Sequence, residues 1–530
     1  MSGKPQTLAT TSAFEVLGPV MVGPSSSHTA GALRCAQVAA SLVEGRVARV
    51  TFTLWNSFAH TYHGHGTDRA LVAGVLGLAT DDERIRDAFD LAREAGLEFA
   101  FEVGGDDSTM HPNTVDITME SETGAMTQVR GESLGGGKVR VSRINGVGVK
   151  VTGRYATLFV AHRDVPGVLA ALANLLAYAQ VNIATCRTYR TEQGGQAYTV
   201  FETDGAPDDT ILPVVRRLEN VDYATFVSLA AGTTVAPGVT AEELFDDGAQ
   251  LLDACNTLGL SIGGVMRTRE EMLVGQETAA SAMRRVLDVM REETTAPIEQ
   301  PVKSLGGFIG GEAAQVARAG AGLIDALMGP VQTDAVARAM AVLERSAAMG
   351  VIVAAPTAGS SGVVPGSVLA LADHLGASDD AVMEALYCAA AIGLNIQTGA
   401  CVAGAEGGCQ AEVGSAAAMA AAACAQLMGA TPEQALTASS LAISNLLGLV
   451  CDPVGGLVEV PCQVRNAIGV AAAFSSAQLA LSGVRSLVPF DEVVHAMSEV
   501  GHALPASLRE TAKGGLAACP TACAACHACS

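Results

Sequence analysis

The sequence predicts a multidomain protein: an α+β N-terminal domain, a βαββαβ domain, and a mostly all-α C-terminal domain. Three observations predict it. At 530 residues the chain is too long for one hydrophobic core. The apolar pattern changes twice along the chain, from mixed strands and helices, to short alternating strands around two helices, to long helical runs. The stretch Thr233-Thr234-Val235-Ala236-Pro237-Gly238 has the composition of a joint.

The elements follow in order. Residues 10–150 carry alternating strands at Arg49–Leu54, Thr114–Met119 and Lys138–Ser142, with helices over about Thr29–Val43 and Asp81–Ala95. The Gly-rich stretch Ser133 to Gly137 lies between the last two strands. Residues 153–232 read as strand Thr157–Ala161, turn Asp164-Val165-Pro166-Gly167 and helix Val168–Ala179. Strand Asn182–Tyr189, a Gly194-Gly195 hairpin, strand Ala197–Glu202, helix Asp208–Leu218 and a last strand follow. That order gives an antiparallel sheet with two helices on one face. Residues 238–518 are helical, with helices Ala241–Leu258, Thr333–Met349, Pro432–Leu447 and Asp491–Val500 broken by Gly-rich loops. Residues 519–530 form a Cys-rich tail.

Composition narrows the function. Apolar residues make up 49% and charged residues 16%, so the chain buries a large interior and leaves little polar surface, which favours a homo-oligomer, dimer or tetramer. A net charge of −22 repels nucleic acid and anionic lipid, so neither is expected as a partner. The first residues lack the basic and apolar regions of a secretion signal, and Ala-rich runs such as Ala416 to Ala430 are short for a membrane span. A cytoplasmic protein without a membrane segment is expected. Thirteen cysteines, an odd number, argue against a disulfide framework. Cys35, Cys255, Cys388 and Cys424 sit in helical stretches as small core residues.

Three other cysteines stand at breaks between apolar helices: Cys409 in Gly-Gly-Cys-Gln, Cys451 in Val-Cys-Asp-Pro, and Cys462 in Val-Pro-Cys. Thiolates are the ligands of iron–sulfur clusters, and three of them leave one iron of a four-iron cluster open as a Lewis acid. Their spacing matches no general metal motif, so on spacing alone they are either ligands or buried loop cysteines. In the N-terminal block, Ser25, Ser26, Ser27, His28 and Thr29 precede an apolar-periodic helix. Ser and Thr cap helices, and a helix N-terminus attracts a carboxylate; the same residues also read as a plain cap. His65 lies in Gly-His-Gly-Thr-Asp before another helix, with Thr67 as its cap. Histidine titrates near neutrality and is the commonest general base.

The stretches Cys409 to Ser415, Cys451 to Cys462, Ala355 to Gly362, Ser304 to Glu312, and Arg509-Glu510-Thr511 with Gly514 to Ala517 closely resemble the α-domain of iron–sulfur-dependent L-serine dehydratases. Gly23 to Thr29, Gly64 to Asp68 and His111-Pro112-Asn113-Thr114 resemble that family's β-domain. Residues 153–232 resemble an ACT domain, a ferredoxin-like module that some members carry. The resemblance covers nearly the whole chain, with long motifs in the family's order. It implies a [4Fe–4S] cluster on Cys409, Cys451 and Cys462, with the open iron on the serine hydroxyl. It implies His65 as the Cα base, with His111 as second candidate. Ser25 to Thr29, Thr67 and Asn113 would bind substrate, and His111 with Asn113 would orient its polar ends. Aminoacrylate would then hydrolyse to pyruvate and ammonia. Whether a monovalent cation is also needed stays open. An amino-acid effector would bind the ACT domain at Asp164, Gly167 and Asn182; the alternative is a purely structural pairing module.

Two departures from the family pattern bear on this reading. Thr398 to Gly404 lacks the Asn and Ser donors that usually precede the first cluster cysteine, which opens the substrate to L-threonine or another β-substituted amino acid. It also keeps a non-catalytic amino-acid sensor in view. Cys401 falls in the same stretch, as an extra thiolate or a core residue. The tail holds Cys519, Cys523, Cys526 and Cys529 with His527. These are a fourth ligand for the open iron, a separate metal site, or a solvated end. A pyridoxal-phosphate enzyme would need a lysine in a matching context, and the helical block has none.

Overall fold

The computed structural model describes residues 11–135, 137–152, 156–203, 210–227, 244–319 and 325–525. The expected joint at 233–238, and Cys526, His527 and Cys529 of the tail, lie outside them.

The N-terminal region is built on a mixed six-stranded sheet. Its order is Glu98–Gly105, Val47–Asn56, Asn113–Ser121, Met126–Gly135, Lys138–Ile144 and Val147–Val151. The first pair is parallel and the others antiparallel. Val50, Phe52 and Leu54, with Val115, Ile117 and Met119, alternate onto a buried face. Helix Ala32–Ser41 covers that face, and Gly131 makes the close approach possible: a Cβ there would stand 2.9 Å from the Cys35 Cβ. Helix Thr67–Val75 packs on the same helix through Gly74.

The second region shows the expected strand and helix order. Its four antiparallel strands run Val221–Val227, Ala156–Arg163, Gln196–Thr203, Ile183–Arg190. Leu158, Val160 and Phe201 pack against helices Val168–Tyr178 and Ile211–Val215. The alternate residues Phe159, Ala161, Tyr198 and Val200 join the core of the six-stranded region. The Tyr223 hydroxyl donates to the Ser41 and Val43 carbonyls at 3.1 and 3.2 Å, at the end of the N-terminal helix.

The C-terminal half is largely helical. At its centre, helix Ser415–Leu427 is buried on every side from Ser415 to Ala425, as an apolar, Ala-rich helix must be. Helices Val363–Leu375, Asp379–Gly399, Pro432–Leu446 and Cys462–Leu481 surround it. Alanine and glycine let these helices approach closely. The N-terminal region is tied in by two devices. Val20–Val22 pairs antiparallel with Val351–Val353, and the Ser12 hydroxyl and Ala13 N–H donate to the buried Glu270 carboxylate.

Several helix limits differ from expectation. The helix expected at 29–43 starts at Ser26 as a π turn, because the Ser25 hydroxyl already accepts from the His28 N–H, and ends at Ser41. The one expected at 81–95 splits into a 3-10 turn Glu83–Asp87 and helix Ala88–Glu94, since Asp82 caps the turn. The helix expected at 333–349 begins earlier, at Asp325, and carries a break at Gly329 before Pro330. Gly66, at φ 63°, is the N-cap expected of Thr67, which is instead the first helical residue.

Gly362 begins helix Val363–Leu375, and a Cβ there would stand 2.1 Å from the Ala339 carbonyl oxygen. Gly362→Ala is therefore expected to destabilise the protein by about 1–3 kcal/mol through overpacking. The urea midpoint measures it; an unchanged midpoint contradicts the close approach.

Candidate active site

A cavity lies where the N-terminal and helical regions meet. Pro24 to Ser27 and Gly135 form one wall; Thr357, Gly359, Val402 to Gly404, Glu412, Cys451, Cys462 and Glu510 belong to the other side. Each thiol is placed by an element end. Cys409 precedes the π turn Gln410–Gly414 that opens the central helix, and Cys462 is the first residue of helix Cys462–Leu481. Cys451 is held in a short parallel bridge: its N–H donates to the Leu508 carbonyl and its carbonyl accepts from the Glu510 N–H, both at 2.9 Å. The structure thus brings together cysteines that are far apart in sequence. Cys409 touches Cys451, and all three are at least nine-tenths buried.

Burial dominates the electrostatics. Contact with the Cys409 thiol, and then burial, hold Cys451 well above the ordinary thiol range; burial first, then Cys409, does the same to Cys462. Two carboxyls share the site. Glu412 accepts from the Thr357 hydroxyl at 2.9 Å and lies 4.0 Å from the Cys451 Sγ; burial pushes it up to about 7. Burial and the neighbouring Glu412 hold Glu510 well above the carboxylate range. A Cβ on Gly404 would stand 2.7 Å from the Glu412 Oε2 and 3.2 Å from the Cys451 Sγ, so only glycine fits against these groups. Arg465 is the nearby cation. It donates to the Val450 carbonyl and pairs with the buried Asp452 at 2.8 Å, while Asp452 also accepts from the Leu516 N–H at 2.7 Å. That network fixes the loop on either side of Cys451.

The predicted N-terminal residues assemble beside this cavity. Ser25, Ser26 and Ser27 line it. The Ser26 hydroxyl accepts from the Ala358 N–H at 2.9 Å and so also joins the two regions. His28 is fully buried; its Nδ1 lies 3.2 and 3.0 Å from the Ser25 and Ser27 hydroxyls, and its Nε2 2.9 Å from the Ser57 hydroxyl. The Thr29 hydroxyl donates to the His65 carbonyl at 2.8 Å, which sets the height of the His65 loop. His65 is fully buried, with neither ring nitrogen hydrogen-bonded to the described residues, and burial lowers it to about 3. Thr67 is buried nearby, one residue into its helix. His111 is half-buried, lowered mainly by burial, and its Nδ1 accepts from the Asn113 N–H at 3.2 Å. Asn113 is buried and donates to the Ser133 carbonyl at 3.5 Å.

Other predicted residues fall elsewhere. Cys401 lines a separate shallow pocket with Glu406 and His502. Cys519 and Cys523 are exposed, with their thiols directed at the Gly515 and Ala517 carbonyls of their own segment. Asp164 accepts from Arg190 at 2.9 Å and from the Gly194 N–H at 3.1 Å; Gly167 takes φ +98° at the start of its helix, and Asn182 is exposed. Sequence reasoning assigned nothing to Glu412 and Glu510. Both stand inside the motif stretches; Glu412, three residues after Cys409, carried a local signal, and Glu510, between Arg509 and Thr511, carried none.

Comparison with known proteins agrees with the geometry. The serine dehydratase beta chain family model matches residues 12–143, and the serine dehydratase alpha chain model matches residues 116–517. An L-serine dehydratase of Streptomyces coelicolor is 30% identical over 510 residues, covering 94% of this chain and 96% of its own length. A probable L-serine dehydratase alpha chain of Bacillus subtilis is 43% identical over 284 residues, 52% of this chain and 93% of its own. The L-serine dehydratase beta chain of Peptoniphilus asaccharolyticus is 39% identical over 218 residues, 41% of this chain and 98% of its own. The site and fold are those of a lyase acting on a small molecule. The chain belongs to the serine dehydratase family and carries the alpha and beta parts in one polypeptide. Among the described residues, no helix is long and apolar enough to cross a membrane.

The buried His65 carries a pH dependence. Folded, it takes a proton only near pH 3; unfolded, near its ordinary 6.5. Stability from this group is therefore complete above pH 6.5 and is lost as pH falls toward 3, by up to about 1.4 kcal/mol per unit. The urea midpoint should fall between pH 7.5 and 5, and fall less in His65→Asn. Parallel falls in the two proteins would contradict a buried neutral imidazole.

Proposed function

We propose that the protein eliminates water from L-serine, giving pyruvate and ammonia, at a [4Fe–4S] cluster held by Cys409, Cys451 and Cys462. The observation that carries this reading is a group of three buried thiols: Cys451 and Cys462 line the cavity opposite the serine-lined helix start, and Cys409 touches Cys451. The donor set fits the group: three sulfurs and no disulfide between them, with the Cys451 and Cys462 thiols held toward their uncharged form until a metal takes their protons. When bound, the cluster supplies an open iron that accepts the substrate hydroxyl as a Lewis acid.

The chain's own residues do the rest. The free N–H groups at the start of the Ser26–Gly31 turn, with the Ser25 and Ser27 hydroxyls, receive the substrate carboxylate. His65, neutral and without a competing hydrogen bond among the described residues, takes the Cα proton. Glu510 lines the cavity and lies close to both His65 and His28. His111 and Asn113, joined by the Asn113 N–H on the His111 Nδ1, orient the polar ends of the substrate. The enamine product tautomerises and hydrolyses in solvent. In the second region, Asp164, Gly167 and Asn182 form the turn of an ACT-type effector site, supported by the strand order and the positive φ of Gly167. A second substrate reading also has support. Val402 and Ala403 put apolar surface in the cavity wall, which leaves no unpaired donor against the extra methyl of L-threonine.

Protein purified and assayed without oxygen should release 2-oxo acid from L-serine and stop on exposure to air. Cys451→Ser should lose iron and turnover together. His65→Ala should keep its iron and lose about 10²–10⁴-fold in kcat. Iron-replete protein that is silent on L-serine but active on L-threonine favours the second reading; silence on both overturns the proposal.

A further inference from the structure

The geometry points to a binding site for one divalent cation of the zinc type, formed by His28, His65 and Glu510. One ligand atom from each side chain lies within 4.8 Å of the other two, and all three residues are buried. Metal ligation is normally read from local spacing, and these residues come from opposite ends of the chain.

Three further facts support it. Both His65 ring nitrogens lack a hydrogen-bond partner among the described residues, and an unpaired buried nitrogen is unfavourable until something takes its lone pair. The two imidazoles meet edge to face, with centroids 4.3 Å apart, so their nitrogens converge. His28 is held by serine hydroxyls on both nitrogens. One nitrogen turns to the ion while the other keeps its serine, the outer hydrogen bond that orients a ligating histidine. Glu510 is fixed on the facing side by its N–H on the Cys451 carbonyl, in a left-handed backbone at φ +57°.

The donor set selects the ion. Two imidazoles and one carboxylate suit Zn²⁺ and neighbouring transition ions, whereas Mg²⁺ and Ca²⁺ prefer oxygen throughout. A tetrahedral ion with ligands at about 2.0–2.2 Å brings donors to about 3.3 Å of one another. The ion takes the His65 lone pair, so it inhibits the elimination; this consequence, but not the site, rests on His65 being the Cα base.

The test uses anaerobic, cluster-loaded protein with iron and sulfide counted. One equivalent of Zn²⁺ is added, the protein is desalted, and retained zinc is read by metal analysis and zinc K-edge X-ray absorption. One zinc per chain is expected, with iron and sulfide unchanged and a shell of imidazole and oxygen without sulfur. His28→Asn and Glu510→Gln should each weaken retention at least about ten-fold. No retained zinc, a sulfur shell from the cluster or tail thiols, or undiminished retention in both variants overturns the site. Zinc held by nitrogen and oxygen with full turnover supports the site and removes His65 as the base.

Discussion

The chemistry rests on a seam. Neither region alone holds the site: the serines and histidines come from the N-terminal region, and the thiols and carboxyls from the helical one. Their separation is set by the strand pair Val20–Val22 with Val351–Val353, and by the Ser26 hydroxyl on the Ala358 N–H. The first fixes the register of the chain three residues before Ser25. The second fixes the helix start against the loop that presents Thr357 and Gly359. A shift of an ångström here would separate His65 from Glu510, and positioning errors of that size cost enzymes heavily. Relatives are named as separate alpha and beta chains, whereas here both parts meet within one polypeptide.

The seam also gathers acidic groups in a buried place. Three thiols and two carboxyls converge in a space nearly closed to water, and the nearby cation, Arg465, is paired with Asp452. The Cys409 contact and burial hold Cys451, and burial holds Cys462 and Glu510, well above their ordinary ranges. The proposed cluster would reverse that balance for the thiols. The glycines at 359 and 404 then have a clear reason: each leaves room for the Glu412 carboxylate, which a side chain would displace.

Much of this was legible in the sequence. The strand and helix order of residues 156–227 followed from short apolar runs punctuated by Pro166-Gly167 and Gly194-Gly195; the two central strands are buried on both faces, so their runs are nearly continuous. The motif cysteines, Ser25 and His65 stood out because small residues and helix starts punctuate them. Other features were not legible. The early start of the first helix depends on one side chain, Ser25, accepting from the His28 N–H. Gly66 took the cap from Thr67 because a left-handed turn suited the loop better than a side-chain bond. Glu510 looks like any surface acid until its segment pairs with Cys451, and no local rule connects residues that far apart. His28 was grouped with the capping serines, whereas its ring is held by three hydroxyls against His65.

The central claim is that Cys409, Cys451 and Cys462 hold a four-iron cluster whose remaining iron faces the serine-lined wall. Mössbauer spectroscopy tests it most directly, on ⁵⁷Fe-enriched protein prepared without oxygen, with and without L-serine. The account predicts about four irons per chain, with about one of the four changing its signal when L-serine is added. Protein without bound iron, or a spectrum in which every iron is indifferent to saturating L-serine and L-threonine, would contradict it.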